Sequence, residues 1–374
     1  MSERQIIVAG GGIGGLAAAL ACARAGRQSL VLERTQAFEE VGAGLQIGPN
    51  AVRALEALGA WQEVARIVSA PPDILMHDAS TGALVRRIAL GDTFVSRFGA
   101  PYRVAHRADL HASLLASALH SPLIRILNGQ DIDTVTQNAD SVMLTTTQGS
   151  QHNGDMLVAA DGMNSRLRQN LWPNSAAVFA GQILHRALID MPGDMPDADC
   201  VKLWMGPGYH VVHYPVGIPA RLNIICVAHV GQSPREIAAL ACGQLHNLLQ
   251  SVSNWLPWDA KHVPPLTHWH KGRIMLLGDA AHGTVPFFAQ GAAMALEDAA
   301  LLFKTLNSGA GPSDVASAMS SRIPRVSAVH AASVRQGKIY SASGVVARAR
   351  NVVLRAMPER AFLGQLAWLY QHEG

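Results

Sequence analysis

QIIVAGGGIGGLAAALACARAG (residues 5–26) decides the fold. Residues 6–20 hold five glycines and almost nothing polar. Such a stretch reads as a secretory signal, a membrane helix, or a strand turning into a helix around a phosphate. A signal needs a basic start, a leucine-rich centre and a cleavage site, which Arg4 and ALACA (19–23) imitate only weakly. A membrane span needs about 20 apolar residues, and this run breaks at Arg24. Neither explains the glycine spacing, so the stretch is expected to be neither leader nor anchor.

The third reading does explain it. QIIVAG (5–10) suits a buried parallel strand. Gly10, Gly12 and Gly15 follow as G-x-G-x-x-G. LAAALACARAG (16–26) is built of helix formers and ends on Gly26, a C′ cap. SLVLER (29–34) is a second strand closing on Glu33. In this βαβ unit Gly10 permits the tight turn and Gly12 lets backbone approach a pyrophosphate. Gly15 lets the helix pack close on the sheet, and Glu33 accepts from a ribose diol. The helix N-terminus offers unpaired N–H groups and partial positive charge. The loop alone leaves the dinucleotide open between NAD and FAD.

The 374 residues suffice for two domains or one elaborated one. With 49% hydrophobic and 15% charged residues the chain reads as well-cored and globular. A net charge of +3 is too mild for a nucleic-acid binder. Cys22, Cys200, Cys226 and Cys242 lie far apart with no CxxC pairing, as expected of reduced cytoplasmic thiols. HWH (268–270) has no acid or cysteine partner in sequence and is not read as a metal site.

Further along, VGAGLQIGPNAVRALEALG (41–59) reads as a loop followed by an amphipathic helix N-capped by Asn50. APYRVAHRADLHASLLASAL (100–119) ends in a helix. Residues 124–162 alternate like hairpin strands before the apolar strand MLVAADG, with Ser165 and Arg168 behind it. RIMLLGDAAHG (273–283) is a buried strand running into a loop, with Asp279 where α/β sheets bind ligands. PFFAQGAAMALEDA (286–299) opens a second helix at Gln290-Gly291, whose N–H groups suit an electron-rich carbonyl edge. Residues from Arg322 onward read as mostly helical.

G-x-G-x-x-G with Glu33, AHRADL, AADGMNSRLR and GDAAHGTVPFFAQGAAMALEDA together resemble the single-component FAD-dependent aromatic hydroxylases. Within them the sequence is similar to the 3-hydroxybenzoate 6-hydroxylase, salicylate hydroxylase and 6-hydroxynicotinate 3-monooxygenase group. AWLYQHEG (367–374) resembles that group's W-L-Y ending. The resemblance implies that Gly10, Gly12, Gly15 and Glu33 hold the ADP half of FAD, with Arg34 nearby. It puts Arg107 on the ribitol or pyrophosphate, Asp279 with Gly278 on the ribitol, and the N–H groups of Gly291 and Ala292 at the pyrimidine edge. Gln46 lies beside the isoalloxazine, and Asp161-Gly162 meets FAD and the nicotinamide cofactor. Pro286 stands at a substrate-facing position where the 3-hydroxybenzoate enzymes carry Gln, and Phe287 walls the pocket or packs.

The fold expected is α/β: a discontinuous Rossmann-like FAD-binding domain (1–72, 99–175, 268–324), an inserted mostly β substrate domain (73–98, 176–267) and a C-terminal helical segment (325–374). The implied activity is NADH- or NADPH-driven hydroxylation of a small aromatic acid, a hydroxybenzoate or hydroxypyridine carboxylate, by O2 through a flavin C4a-hydroperoxide. The enzyme is expected to be a cytoplasmic monomer or homodimer with no nucleic-acid or membrane partner. The rivals are a flavin oxidase or dehydrogenase without oxygen insertion, and a flavin-holding protein without turnover.

An electrophilic oxygen donor needs an electron-rich ring, so a ring hydroxyl must lose or share its proton. A free phenol titrates near 10, which calls for a base or a tuned hydrogen-bond network, and water must stay out. In MGPGYHVVHYPV (205–216), His210, Val212 and Tyr214 share one strand face. The resembled hydroxylases carry a His and a Tyr at this spacing. His210 is the expected base and Tyr214 its partner. His282 and His106 read as structural, and no cation is assigned to a substrate carboxylate.

Overall fold

The computed structural model describes residues 5–38, 43–193 and 195–372. Val41 and Gly42 of the expected loop, and Glu373 and Gly374 of the tail, lie outside them. In chain order the strands are β1 (Gln5–Ala9), β2 (Gln28–Leu32), β3 (Gly44–Ile47), β4 (Asp73–Asp78), β5 (Leu84–Ala89) and β6 (Arg103–His106). Then come β7 (Ile124–Leu127), β8 (Ile132–Gln137), β9 (Val142–Thr146), β10 (Gln151–Gly154), β11 (Met156–Ala159) and β12 (Val178–Asp190). The last are β13 (Val201–Gly206), β14 (Tyr209–Val216), β15 (Arg221–His229), β16 (Leu256–His262), β17 (His270–Lys271) and β18 (Ile274–Leu276).

The opening stretch is β1 followed by the helix Ile13–Arg24, with Gly26 at φ 70° just past its end. β1 lies inside a six-stranded sheet of order β17-β18-β11-β1-β2-β7, parallel to both neighbours. Parallel sheets bury both faces, and β1 shows why its residues are apolar throughout. Ile6 and Val8 pack with Leu16 and Leu20 of the helix, while Ile7 and Ala9 join a second core with Leu157 and Leu276. The helix is apolar all round because it is covered all round: Leu16 to Ala19 and Ala21 to Cys22 are fully buried.

A seven-stranded sheet, β16-β12-β15-β14-β13-β4-β5, is antiparallel except where β13 meets β4. Its far face packs Trp204, Tyr209, Val211 and Ile224 against the helices Pro234–Leu240 and Gly243–Ser251. Its near face turns toward the first sheet. β8, β9 and β10 form a separate antiparallel sheet.

Two local expectations are corrected. Gly44–Ile47 is a strand paired with β6 rather than loop. Asn50 is inside the helix Pro49–Ala57, whose N-cap is Gly48. Proline at N1 sets φ for the helix start, and the Asn50 amide is drawn inward to Gln290 and Glu297. The tail is helical, over Ile323–Tyr340, Gly344–Ala356, Glu359–Gln365 and Ala367–Tyr370. Arg53 ties its end down by donating to carbonyl oxygens of Phe98, Tyr370 and His372. Among the described residues no helix is long and apolar enough to cross a membrane.

Candidate active site

Gly10 sits at φ 103°, and a Cβ there would stand 2.5 Å from the Ala160 oxygen. A Cβ on Gly15 would stand 1.8 Å from the Gly10 oxygen. These two glycines let the loop and helix close on the sheet. Gly12 differs: nothing lies within 4 Å of its missing side chain. It opens onto a cavity of about 1130 Å³ that Ile13 and Gly14 also line. The helix therefore presents its first N–H groups to empty space beside a backbone a phosphate can approach, as an anion site requires. Glu33 shapes this loop, accepting from Gly11 N at 2.7 Å and from Thr35 N at 2.8 Å.

A second helix, Gly291–Asn307, begins on the same cavity, with Gly291 and Ala292 lining it and no side chain capping its N-terminus. Gly278, at φ 62°, and Asp279 lie beside it. Gln46, Arg107 and Gly162 complete this wall.

This helix is braced from behind by a buried charge network. Asp298 accepts from His282 Nε2 at 2.6 Å, Arg322 Nε at 2.9 Å and Gly278 N at 3.1 Å. Burial alone would raise the Asp298 carboxyl, but His282 and Arg322 hold it down to about 2. Glu297 meets Arg322 at 2.7 Å and Arg325 at 2.6 Å. His282 is thus a positioning residue outside the cavity lining. Arg168, fully buried, donates to oxygens of Met163, Ser175 and Ala280, tying the DG turn to the GDAAH turn.

The near face of the seven-stranded sheet is the opposite wall. His210 and Tyr214 both line the cavity from β14, with Val212 between them. His210 is 2% exposed, and its ring lies 5.5 Å from Phe287 and 5.4 Å from Tyr340. Its Nδ1 has no hydrogen-bond partner, and burial pushes its pKa down to about 3. The ring is therefore neutral at pH 7 and able to accept a hydrogen bond. Tyr214 interacts with Gln46, which also accepts from Tyr102 at 2.5 Å. Burial raises the phenols of Tyr214 and Tyr102 above their ordinary range and that of Tyr340 to about 12. All three are neutral donors.

Of the residues expected from sequence, the structure gathers Gly12, Gln46, Arg107, Gly278, Asp279, Gly291, Ala292, His210, Tyr214, Pro286 and Phe287 around one cavity. Gly10, Gly15 and Glu33 support it from behind. Arg34 is exposed and outside the lining. Asp161 is also outside it, and one of its carboxylate oxygens accepts from Leu167 N at 3.4 Å. His210 and Tyr214 share a wall but are not partners: His210 meets Tyr340, and Tyr214 meets Gln46. Sequence reading missed Tyr102, Tyr340, Arg186, Glu297 and Arg322. The paired acids of ALEDA inside an apolar helix are the one signal that announces the buried network.

The residues present fit FAD. Gly12 leaves room for the pyrophosphate, two helix N-termini open on one cavity, and the volume exceeds that of a typical small-ligand pocket. A family model described as FAD binding domain matches residues 3–193 and 244–333. The chain belongs to this family of FAD-dependent aromatic monooxygenases. It is 36% identical to the 3-hydroxybenzoate 6-hydroxylase of Polaromonas naphthalenivorans (strain CJ2), over 99% of this chain and 96% of that one. It is 35% identical to the 6-hydroxynicotinate 3-monooxygenase of Bordetella bronchiseptica, over 80% and 81% of the two chains. Klebsiella pneumoniae HpxO complexed with FAD and uric acid shares the fold, with a TM-score of 0.86 at 22% identity over 99% and 97% of the chains.

Proposed function

We propose that this enzyme uses NADH or NADPH and O2 to hydroxylate a small aromatic ring that already carries a hydroxyl group, of the hydroxybenzoate or hydroxypyridine-carboxylate class. The observation that carries the reading is His210: a neutral, buried imidazole in the cavity onto which both helix N-termini open. Bound FAD supplies hydride acceptance from the nicotinamide and activation of O2. One oxygen atom enters the ring, the other leaves as water, and NAD(P)H with one proton from solvent is oxidised to NAD(P)+.

This chain's residues do the rest. His210 accepts the hydrogen bond of the substrate hydroxyl, which leaves more electron density on that oxygen and in the ring. Tyr214 and Tyr340 donate, orienting the ring between Phe287 and β14. Val212, Phe287 and Leu203 keep water from the reacting atoms. Arg186 of β12 supplies the cation that sequence could not name. It lines the cavity with its guanidinium 4.7 Å over the Trp258 ring, and its buried Nε has no hydrogen-bond partner.

The test is a panel of hydroxybenzoates and hydroxypyridine acids. Stimulated NADH or NADPH oxidation with a product heavier by one oxygen atom is the expected result. Reductant consumed with the ring unchanged and only H2O2 formed would favour the oxidase reading.

A further inference from the structure

The sheet wall is unequal on its two sides. From β14 toward β16 it carries charge, Arg186 on β12 and the Asp259–Lys261 ion pair (3.6 Å) on β16. From β14 toward β5, every cavity-lining side chain is apolar. Leu203 stands opposite Val212 on one side and Met76 on the other. In a neighbouring row Val201 stands opposite Ile74, and Ile74 opposite Ile88. Leu354 and Phe362 of the C-terminal helices line the same cavity. Arg86, which stands opposite Met76 on β5, is shut off: Phe362 lies 4.8 Å over its guanidinium, which donates to the carbonyl oxygens of Leu354 and Met357.

Neighbouring strands are about 4.8 Å apart. The apolar alcove thus begins one strand from His210, while Arg186 lies two strands away in the opposite direction. A ring held at β14 with its carboxylate toward β12 turns its far edge into Leu203 and Met76. A hydroxybenzoate lacking a further substituent leaves that alcove unfilled.

We infer that the preferred substrate is a hydroxyaromatic acid bearing an uncharged apolar substituent, an alkyl group, a halogen or a fused ring, that fills the alcove of β13, β4 and β5. The inference rests on the aromatic-hydroxylase reading above and narrows its substrate class.

The test uses the FAD-loaded enzyme with hydroxybenzoates that differ only by a methyl, ethyl or chloro group on the ring. Two readouts are taken: kcat/KM for product formation, and the dissociation constant from the change in the flavin absorption band. At least one substituted acid should show a kcat/KM about tenfold or more above its parent's and a dissociation constant about tenfold or more below it, the scale of one methylene in a hydrophobic pocket. Val201→Thr, nearly isosteric, should lower the substituted-to-parent ratio about fivefold by placing a hydroxyl in the alcove. Leu203→Phe should lower it by filling the space. A ratio of one or less for every substituted acid in the unmutated enzyme overturns this inference alone. No ring oxidation with any aromatic overturns the reading beneath it as well.

Discussion

Along the two helix N-termini the cavity is lined by backbone; along the seven-stranded sheet it is lined by side chains. In the reading proposed above, the first wall takes the pyrophosphate and flavin edge of FAD. Its parts are N–H groups, glycines and one turn after another. In the same reading the second wall meets the ring to be oxidised. Its parts are His210, Tyr214 and other residues of seven strands brought together from distant points in the chain. A backbone site depends on local spacing. A side-chain site depends on register.

The sharpest way to break this contrast is within the glycine loop. Gly15→Ala puts a Cβ 1.8 Å from the Gly10 oxygen, against backbone that cannot yield. It should give insoluble protein or protein without the flavin absorption band. Gly12→Ala has nothing within 4 Å. It should fold with an unchanged melting temperature yet bind FAD at least about tenfold more weakly, measured by titration of the apoprotein. Equal stability loss in both would show that the two glycines do the same job.

The bracing behind the second helix comes next. Asp298→Asn leaves His282 without its carboxylate and Arg322 with Glu297 alone, which costs about 2–3 kcal/mol. Chemical denaturation should show that loss, and loosened FAD with it. On the sheet wall, Arg186→Gln should raise KM for aromatic acids by about 10- to 100-fold, the scale of a charge-assisted hydrogen bond. Neutral phenols should be little affected. An equal effect on both would remove Arg186 from carboxylate recognition.

The smallest effect separates the two faces of β14. His213, on the strand's far face, is pushed down to about 3 by burial, with Lys202 and His77 adding to it. The unfolded chain takes up that proton near the ordinary value of 6.5 while the folded one does not. Stability therefore falls as pH drops from 6.5 toward 3. His213→Leu should flatten that slope in melting temperature against pH and leave the activity profile unchanged. His210, equally low, contributes to the same slope from the cavity side.

The same contrast explains what was legible in the sequence. Gly10, Gly12, Gly15 and Gly291 were readable because a tight turn and a helix start impose residue types at fixed spacing. The shared face of His210 and Tyr214 was readable because a strand alternates with period two. Their separation was not, since the partner of each comes from elsewhere: Tyr340 from a helix 130 positions on, Gln46 from β3. Asn50 looked like an N-cap by type, but Glu297 and Gln290 claim its amide across the fold. Asp161 stands in a cofactor motif, and one of its carboxylate oxygens also accepts from the start of a local helix. Arg186 carried no signal, because a strand arginine is ordinarily solvated.

The most direct test of the account is turnover under isotopically labelled dioxygen in the unmutated enzyme and in His210→Ala. The unmutated enzyme should place one labelled oxygen atom in the ring for nearly every NADH or NADPH oxidised. His210→Ala should keep its flavin band and still consume reductant. Its ring labelling should fall by about 10²- to 10⁴-fold, the usual contribution of a positioned base. Full labelling in His210→Ala would contradict the account, because the buried imidazole would then have no part in activating the ring.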